Sequence, residues 1–208
     1  MAIKPILFNG EMVRAILDGR KTCTRRILKG GIPFDEKAEY WNVLKKGEWS
    51  GPICSEYFIK QCSPYKPGDI LYVRETWCGL PVNEAGHFRG HHIYYYRADG
   101  DLRPEGWRGA WHPSIHMPKE AARIWLKVTG VRVERLQDIT GKSVLREGIN
   151  SHVHPDADYF DGNQREVFAE LWDSTIKKSD LDSYGWAANP WVWVIEFERC
   201  EKPEEKKR

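Results

Sequence analysis

The sequence predicts an α+β domain: a small, strongly curved β-sheet or barrel with short flanking helices and two loop insertions. Three observations predict it. Runs rich in β-branched and aromatic residues recur along the chain, as in "ILYVR" and "WVWVIEF". Short stretches of helical spacing stand between them, and glycines sit where strands must bend or helices must stop.

The elements follow in order. Residues 5–8 read as a short strand. Asn9 is placed to cap a helix with Glu11 in its first turn, and Met12, Val13, Ile16 and Leu17 form its apolar face. Gly19 is the expected left-handed residue after that helix, and "KTCTRRIL" has the texture of a strand. Residues 29–66 form the first insertion, rich in Gly, Pro and Lys, with one short hairpin around "YWNVLKKGEW". Pro67-Gly68-Asp69 is a turn leading into a strand over 70–74. The second insertion, 78–110, holds a strand at "HIYYYRA".

"AARIWLKVTGVRVERL" alternates through Ile124, Leu126, Val128, Val131, Val133 and Leu136, with a phase slip at Gly130 that predicts a bulge or bend. "DITGKSVLREGI" is a short helix ended by Gly148. "NQREVFAELWDST" is another, with Val167, Phe168, Leu171 and Trp172 on one face and Asn163 with Glu166 as a capping box. "NPWVWVIEFER" is the last strand. Residues 1–200 form one domain on this reading, and the tail 201–208 is disordered.

Composition narrows the function. Thirty-two Lys and Arg against 30 Asp and Glu leave a net charge of +2, so the chain does not coat nucleic acid electrostatically, and a nucleic-acid ligand needs a local patch. Ten Trp, nine Tyr and seven Phe are enough both to fill a core and to stack on a planar ligand. Five cysteines without a CxxC pair argue against a disulfide framework and for a reducing, cytoplasmic setting. The apolar run at the start is too short for a signal peptide, and none is long enough for a membrane span. His87, His91, His92, His112, His116, His152 and His154 have no diagnostic ligand spacing, so no metal and no cofactor is expected.

Five segments carry a family resemblance: "ILDGRKTCTRR", "KPGDILYVRETW", "WHPSIHMPKEAARIWLKVTGVRVERLQDIT", "REGI" and "NPWVWVIEF". In this order they resemble the ASCH family of the PUA-like β-barrel superfamily, in its longer, phage- or prophage-borne form. One ASCH class hydrolyses N4-acetylcytidine to cytidine and acetate without a metal. Its Lys, its Thr three residues later and its Glu fall on Lys21, Thr24 and Glu147. The resemblance thus implies Thr24 as nucleophile, Lys21 as base and Glu147 as acid or orienting group. Other members are reported or proposed to bind or cleave RNA. Two alternatives therefore stand beside the amidohydrolase: a module that binds RNA or a modified nucleotide without catalysis, and a single-strand ribonuclease. The partner on any of these readings is a modified nucleoside or single-stranded RNA.

The chemistry asks much of Lys21. A lysine of ordinary pKa, about 10.4, is neutral in roughly one molecule in 2,500 at pH 7, a deficit of about 4.6 kcal/mol. Lowering that pKa to about 8 recovers roughly 3.3 kcal/mol. Burial does this, and the neighbouring charges of Arg20, Arg25 and Arg26 assist. An ionised Glu147 beside the lysine would act the other way, so Glu147 is expected as a protonated acid at the leaving nitrogen. On a regular strand residues 21 and 24 face opposite sides, so Lys21 must precede the strand for both to serve one pocket.

Arg20 and Arg26 complete the basic wall of this site. Arg74 and Glu75 read either as a surface ion pair or as groups for a phosphate and a base edge. Trp77 and Trp111 read either as core or as a sandwich for a planar base. Arg132 and Arg135 are expected to be solvated.

Overall fold

The computed structural model describes residues 1–29, 34–35, 40–45, 48–82, 91–106, 109–149 and 157–204. The element order is β1 (Ile3–Leu7), α1 (Gly10–Leu17), β2 (Cys23–Ile27), β3 (Phe34–Asp35), β4 (Tyr40–Lys45), β5 (Glu48–Cys54), α2 (Ser55–Cys62), β6 (Ile70–Arg74), β7 (Trp77–Val82), β8 (His91–Tyr96), β9 (Trp125–Arg135), α3 (Gly141–Arg146), α4 (Ala157–Thr175), α5 (Leu181–Tyr184) and β10 (Trp191–Cys200). The fold is α+β. A mixed sheet has the order β1-β6-β9-β10-β2, with β1 parallel to β6 and the β6–β9 and β10–β2 pairs antiparallel. A smaller sheet, β3-β4-β5, and the β7–β8 hairpin are antiparallel.

The chain divides into two compact units. One comprises residues 1–21, 69–127 and 198–208, the other residues 22–68 and 128–197, so β9 and β10 each contribute to both.

In the first unit, Asn9 Oδ1 accepts from Met12 N and caps α1, whose Val13, Ala15 and Ile16 are buried. Gly19 follows at φ +77°, a left-handed conformation that glycine adopts without steric cost. Asp69 fastens β1 to β6: it accepts from Ala2 N at 2.8 Å and from Lys4 Nζ at 2.7 Å. A core of Ile70, Met117, Ala121, Ala122 and Trp125 packs beneath Tyr72, Trp77, Tyr94 and Tyr96.

In the second unit, the β10–β2 ladder pairs Trp193 with Arg26, Val194 with Arg25, Ile195 with Thr24 and Glu196 with Cys23. Directly opposed residues share a face, so this register sorts the side chains into two sets. Val192 and Val194 join Leu136, Ile139, Val144, Phe168 and Trp172 in one core. On the other face Trp193 stacks on Phe58, 5.3 Å between centroids, and Phe58 stacks on Trp41 at 4.3 Å. Thr140 caps α3, and Gly148 at φ +90° follows it.

Several expectations change. The insertion 29–66, read as one hairpin, carries β3, β4, β5 and α2, because Trp41 and Phe58 are buried there as a second aromatic core. Asn163 is not a helix cap: α4 starts at Ala157 and places it inside the helix, and at 19 residues this helix is not short. The β8 strand has a partner, β7, that the sequence reading missed. Gly130 lies within β9, which spans Trp125–Arg135. All five cysteines are free. Residues 201–204 have no regular structure, and the last four positions of the tail lie outside the described residues. Among the described residues no helix is long and apolar enough to cross a membrane.

Candidate functional site

The G-R-K-T segment delivers two buried polar side chains. Lys21 precedes β2 and is only 2% exposed. Its backbone N–H donates to Ala15 O at 2.9 Å, and its Nζ lies 5.5 Å from the centroid of the Phe8 ring. A lysine this buried is unusual. Thr24 is buried in β2 opposite Ile195.

Glu147 is buried and reaches Arg25. Arg25 Nη1 donates to its Oε1 at 3.0 Å, while Arg25 Nε donates to Glu134 Oε1, also at 3.0 Å. Burial pulls the Arg25 pKa down, but the charges of Glu147 and Glu134 outweigh it and hold the group above the ordinary arginine value. Arg25 shares its face of β2 with Cys23, whose Sγ lies 4.0 Å from Ser143 O on α3. Alternation along the strand sends Thr24 and Arg26 to the other face, with Trp193. The structure therefore brings Glu147 to Arg25 and puts Thr24 on the opposite side of β2. Arg26 is half-buried, and burial lowers its pKa, offset in part by Glu147 and Tyr65.

The Arg25 pair is the inner end of a longer ladder. Glu134 Oε2 accepts from Arg132 Nε at 3.1 Å, and Arg132 Nη1 donates to Glu196 Oε1 at 2.7 Å. The same Glu196 oxygen accepts from Arg146 Nη1 at 3.1 Å, and Arg146 Nε donates to Thr22 Oγ1 at 3.3 Å. Burial pushes the Glu196 pKa up, but its two arginine partners outweigh this and leave it below the ordinary glutamate value. The sequence reading left Arg132 solvated and missed Glu134, Glu196 and Arg146. The alternation in "VRVER", which sets Arg132 and Glu134 on one face of a strand, was the available signal.

Arg74 and Glu75 do not pair. Glu75 is buried and takes a bidentate pair from Arg123, Nε to Oε1 at 2.9 Å and Nη2 to Oε2 at 3.0 Å. Arg123 also holds Asp99 and lies over the Tyr96 ring at 4.0 Å. Arg74 Nη2 donates to Ile115 O. Trp77 packs on His112, 5.0 Å between centroids, and their backbones form a bridge. Trp111, next to His112, lies instead against Arg103 and Arg97, at 4.6 and 5.4 Å. No Trp77–Trp111 stack occurs among the described rings. Arg20 pairs with Asp18 at 2.9 Å on the surface.

No group of three His, Cys, Asp or Glu placed to hold a metal occurs among the described residues. His87, His152 and His154 lie outside them, as do the side chains of His91 and His92.

In structure the chain is similar to an ASCH domain. That protein is the ASCH domain from Lactobacillus crispatus JV V101, at 10% identity and a TM-score of 0.37, with 95% of this chain and 79% of that one covered. It is also similar to the hypothetical protein PH0355, at 15% identity and a TM-score of 0.37, covering 96% of this chain and all of that one (100%). No family model matches, and no curated protein matches at a significant level. Both likenesses are too remote to bear on the chemistry of the site.

Proposed function

We propose that this protein is an ASCH-type domain, with a sheet closing as a PUA-like barrel, that binds a modified pyrimidine nucleoside or nucleotide on the Thr24–Arg26 side of β2. Glu147 then serves the framework of the site and takes no part as an acid. One observation carries the reading. The Glu147 carboxylate accepts from Arg25, on the face of β2 opposite Thr24. A general acid must lie within reach of the leaving group, and this contact draws Glu147 to the side of β2 away from Thr24.

The burial of Lys21 just before β2 favours a second reading, hydrolysis of N4-acetylcytidine with Thr24 as nucleophile and Lys21 as base.

Incubation with N4-acetylcytidine and with labelled single-stranded RNA separates the two, using wild type, Lys21→Ala, Thr24→Ala and Glu147→Gln. Nucleoside binding without acetate release, weakened in Thr24→Ala and retained in Glu147→Gln, is the expected result. Acetate release lost in Lys21→Ala and Thr24→Ala establishes hydrolysis, and its loss in Glu147→Gln as well restores the acid. RNA cut only with added divalent metal establishes the ribonuclease.

A further inference from the structure

The outer end of the ion ladder has binding capacity left over. Each guanidinium carries five N–H donors. Arg132 commits its Nε to Glu134 and its Nη1 to Glu196, and Arg146 commits its Nε to Thr22 and its Nη1 to the same Glu196 oxygen. Neither Nη2 has a partner among the described residues. Because both Nη1 atoms contact one oxygen, at 2.7 and 3.1 Å, they lie no more than about 6 Å apart. The side chains are already anchored, so little rotamer freedom remains to be lost when a ligand arrives.

The ladder of three arginines and three glutamates is neutral as a whole, but its charge is unevenly exposed. The side chains of Arg132 and Arg146 are each 41% exposed, whereas Glu134 is 16% exposed and Arg25 1%. Arg132, Arg146 and the Glu196 they share carry a net +1 at the surface. Lys142, exposed and one turn before Arg146 on α3, adds another cation on the same face of that helix. Gly130 keeps the neighbouring position on β9 bare: a Cβ there would come within 3.2 Å of Glu196 Oε2.

We propose that Arg132 and Arg146 form a clamp for a phosphate group, with Lys142 as an outer contact. Guanidinium N–H pairs match the spacing of phosphate oxygens, and two anchored arginines meet such a group from two sides. The phosphate belongs either to a free nucleotide or to the backbone of single-stranded RNA. The clamp does not depend on how Thr24 and Lys21 treat a base.

Binding of cytidine, cytidine monophosphate, inorganic phosphate and a short labelled single-stranded RNA tests it, on wild type, Arg132→Gln, Arg146→Gln and the control Lys178→Ala. Wild type binds the monophosphate more tightly than cytidine, and each arginine variant weakens it at least threefold, about the value of one exposed charge contact. For RNA, the slope of log K against log salt falls by about 0.7 with each arginine removed. Lys178→Ala changes neither. Response to the monophosphate alone identifies a free nucleotide as the source, and response to RNA alone identifies a backbone phosphate. Equal affinity for cytidine and its monophosphate with no salt-dependent RNA binding overturns the clamp. So do arginine variants that bind like wild type. If a variant is poorly folded, wild-type melting decides: a transition unmoved by phosphate and by RNA overturns it. Cytidine, which has no phosphate, reports separately on the Thr24 side.

Discussion

Arg25 and Glu147 stand 122 positions apart in sequence and meet at 3.0 Å inside the fold. The pair fixes α3 to β2 at the point where the helix ends. Removing one member leaves a buried charge without its partner, so Arg25→Met is expected to cost about 3–5 kcal/mol. Glu147→Gln keeps an acceptor for the guanidinium and is expected to cost less, about 1–2 kcal/mol. Urea unfolding checks both. Equal, small losses would mean that the pair contributes nothing to the native state.

Glu196 gives a pH dependence whose sign follows from its partners. Arg132 and Arg146 hold its folded pKa below the ordinary value, so its contribution is complete above about pH 5 and is lost as pH falls through the folded pKa. Glu196→Gln lacks that contribution. The stability gap between wild type and this variant is therefore expected to be widest near neutrality and to close as the solution is acidified below the ordinary glutamate range. Urea titrations at stepped pH measure it, and a gap that widens in acid contradicts the ladder.

Asp69 holds the start of the chain through Ala2 N and Lys4 Nζ. Asp69→Ala is expected to cost about 1–3 kcal/mol. It should also raise hydrogen exchange across Ile3–Leu7 before other strands respond. Uniform acceleration throughout the protein would argue against a local fastening.

Phe58 lies between Trp41 and Trp193 and is fully buried. Phe58→Ala is expected to cost about 3–5 kcal/mol, and Phe58→Leu clearly less. Tryptophan fluorescence with denaturant melts reads both the stability and the changed surroundings of the two indoles.

Much of the fold is legible in the residues. Asn9, Gly19, Gly68 and Gly148 act locally, through a cap or a left-handed turn, and each falls where the sequence places it. The strands that become β6 and β10 announce themselves by runs of β-branched and aromatic residues, and β9 by alternation over many positions. The first insertion does not, because its order comes from Trp41 and Phe58 stacking across distant segments. The same holds for the site. Lys21 before the strand and Thr24 within it follow from a short local segment. That Glu147 goes to Arg25, and Glu75 to Arg123 and not to its neighbour Arg74, depends on contacts of high sequence separation that no local pattern encodes.

The discontinuous make-up of the first unit sets an order of events during synthesis. Arg199 Nη1 reaches Leu17 O at 3.3 Å, across 182 positions, and residues 198–208 belong with residues 1–21. Residues 1–21 must therefore wait for a segment synthesised well after them. Until then the carbonyl of Leu17 at the end of α1 lacks its Arg199 donor, and Ile3 and Leu7 of β1, exposed even in the finished fold, add to the apolar surface of the partial chain. Nascent chains stalled short of residue 199 are the form in which chaperone dependence and aggregation should concentrate.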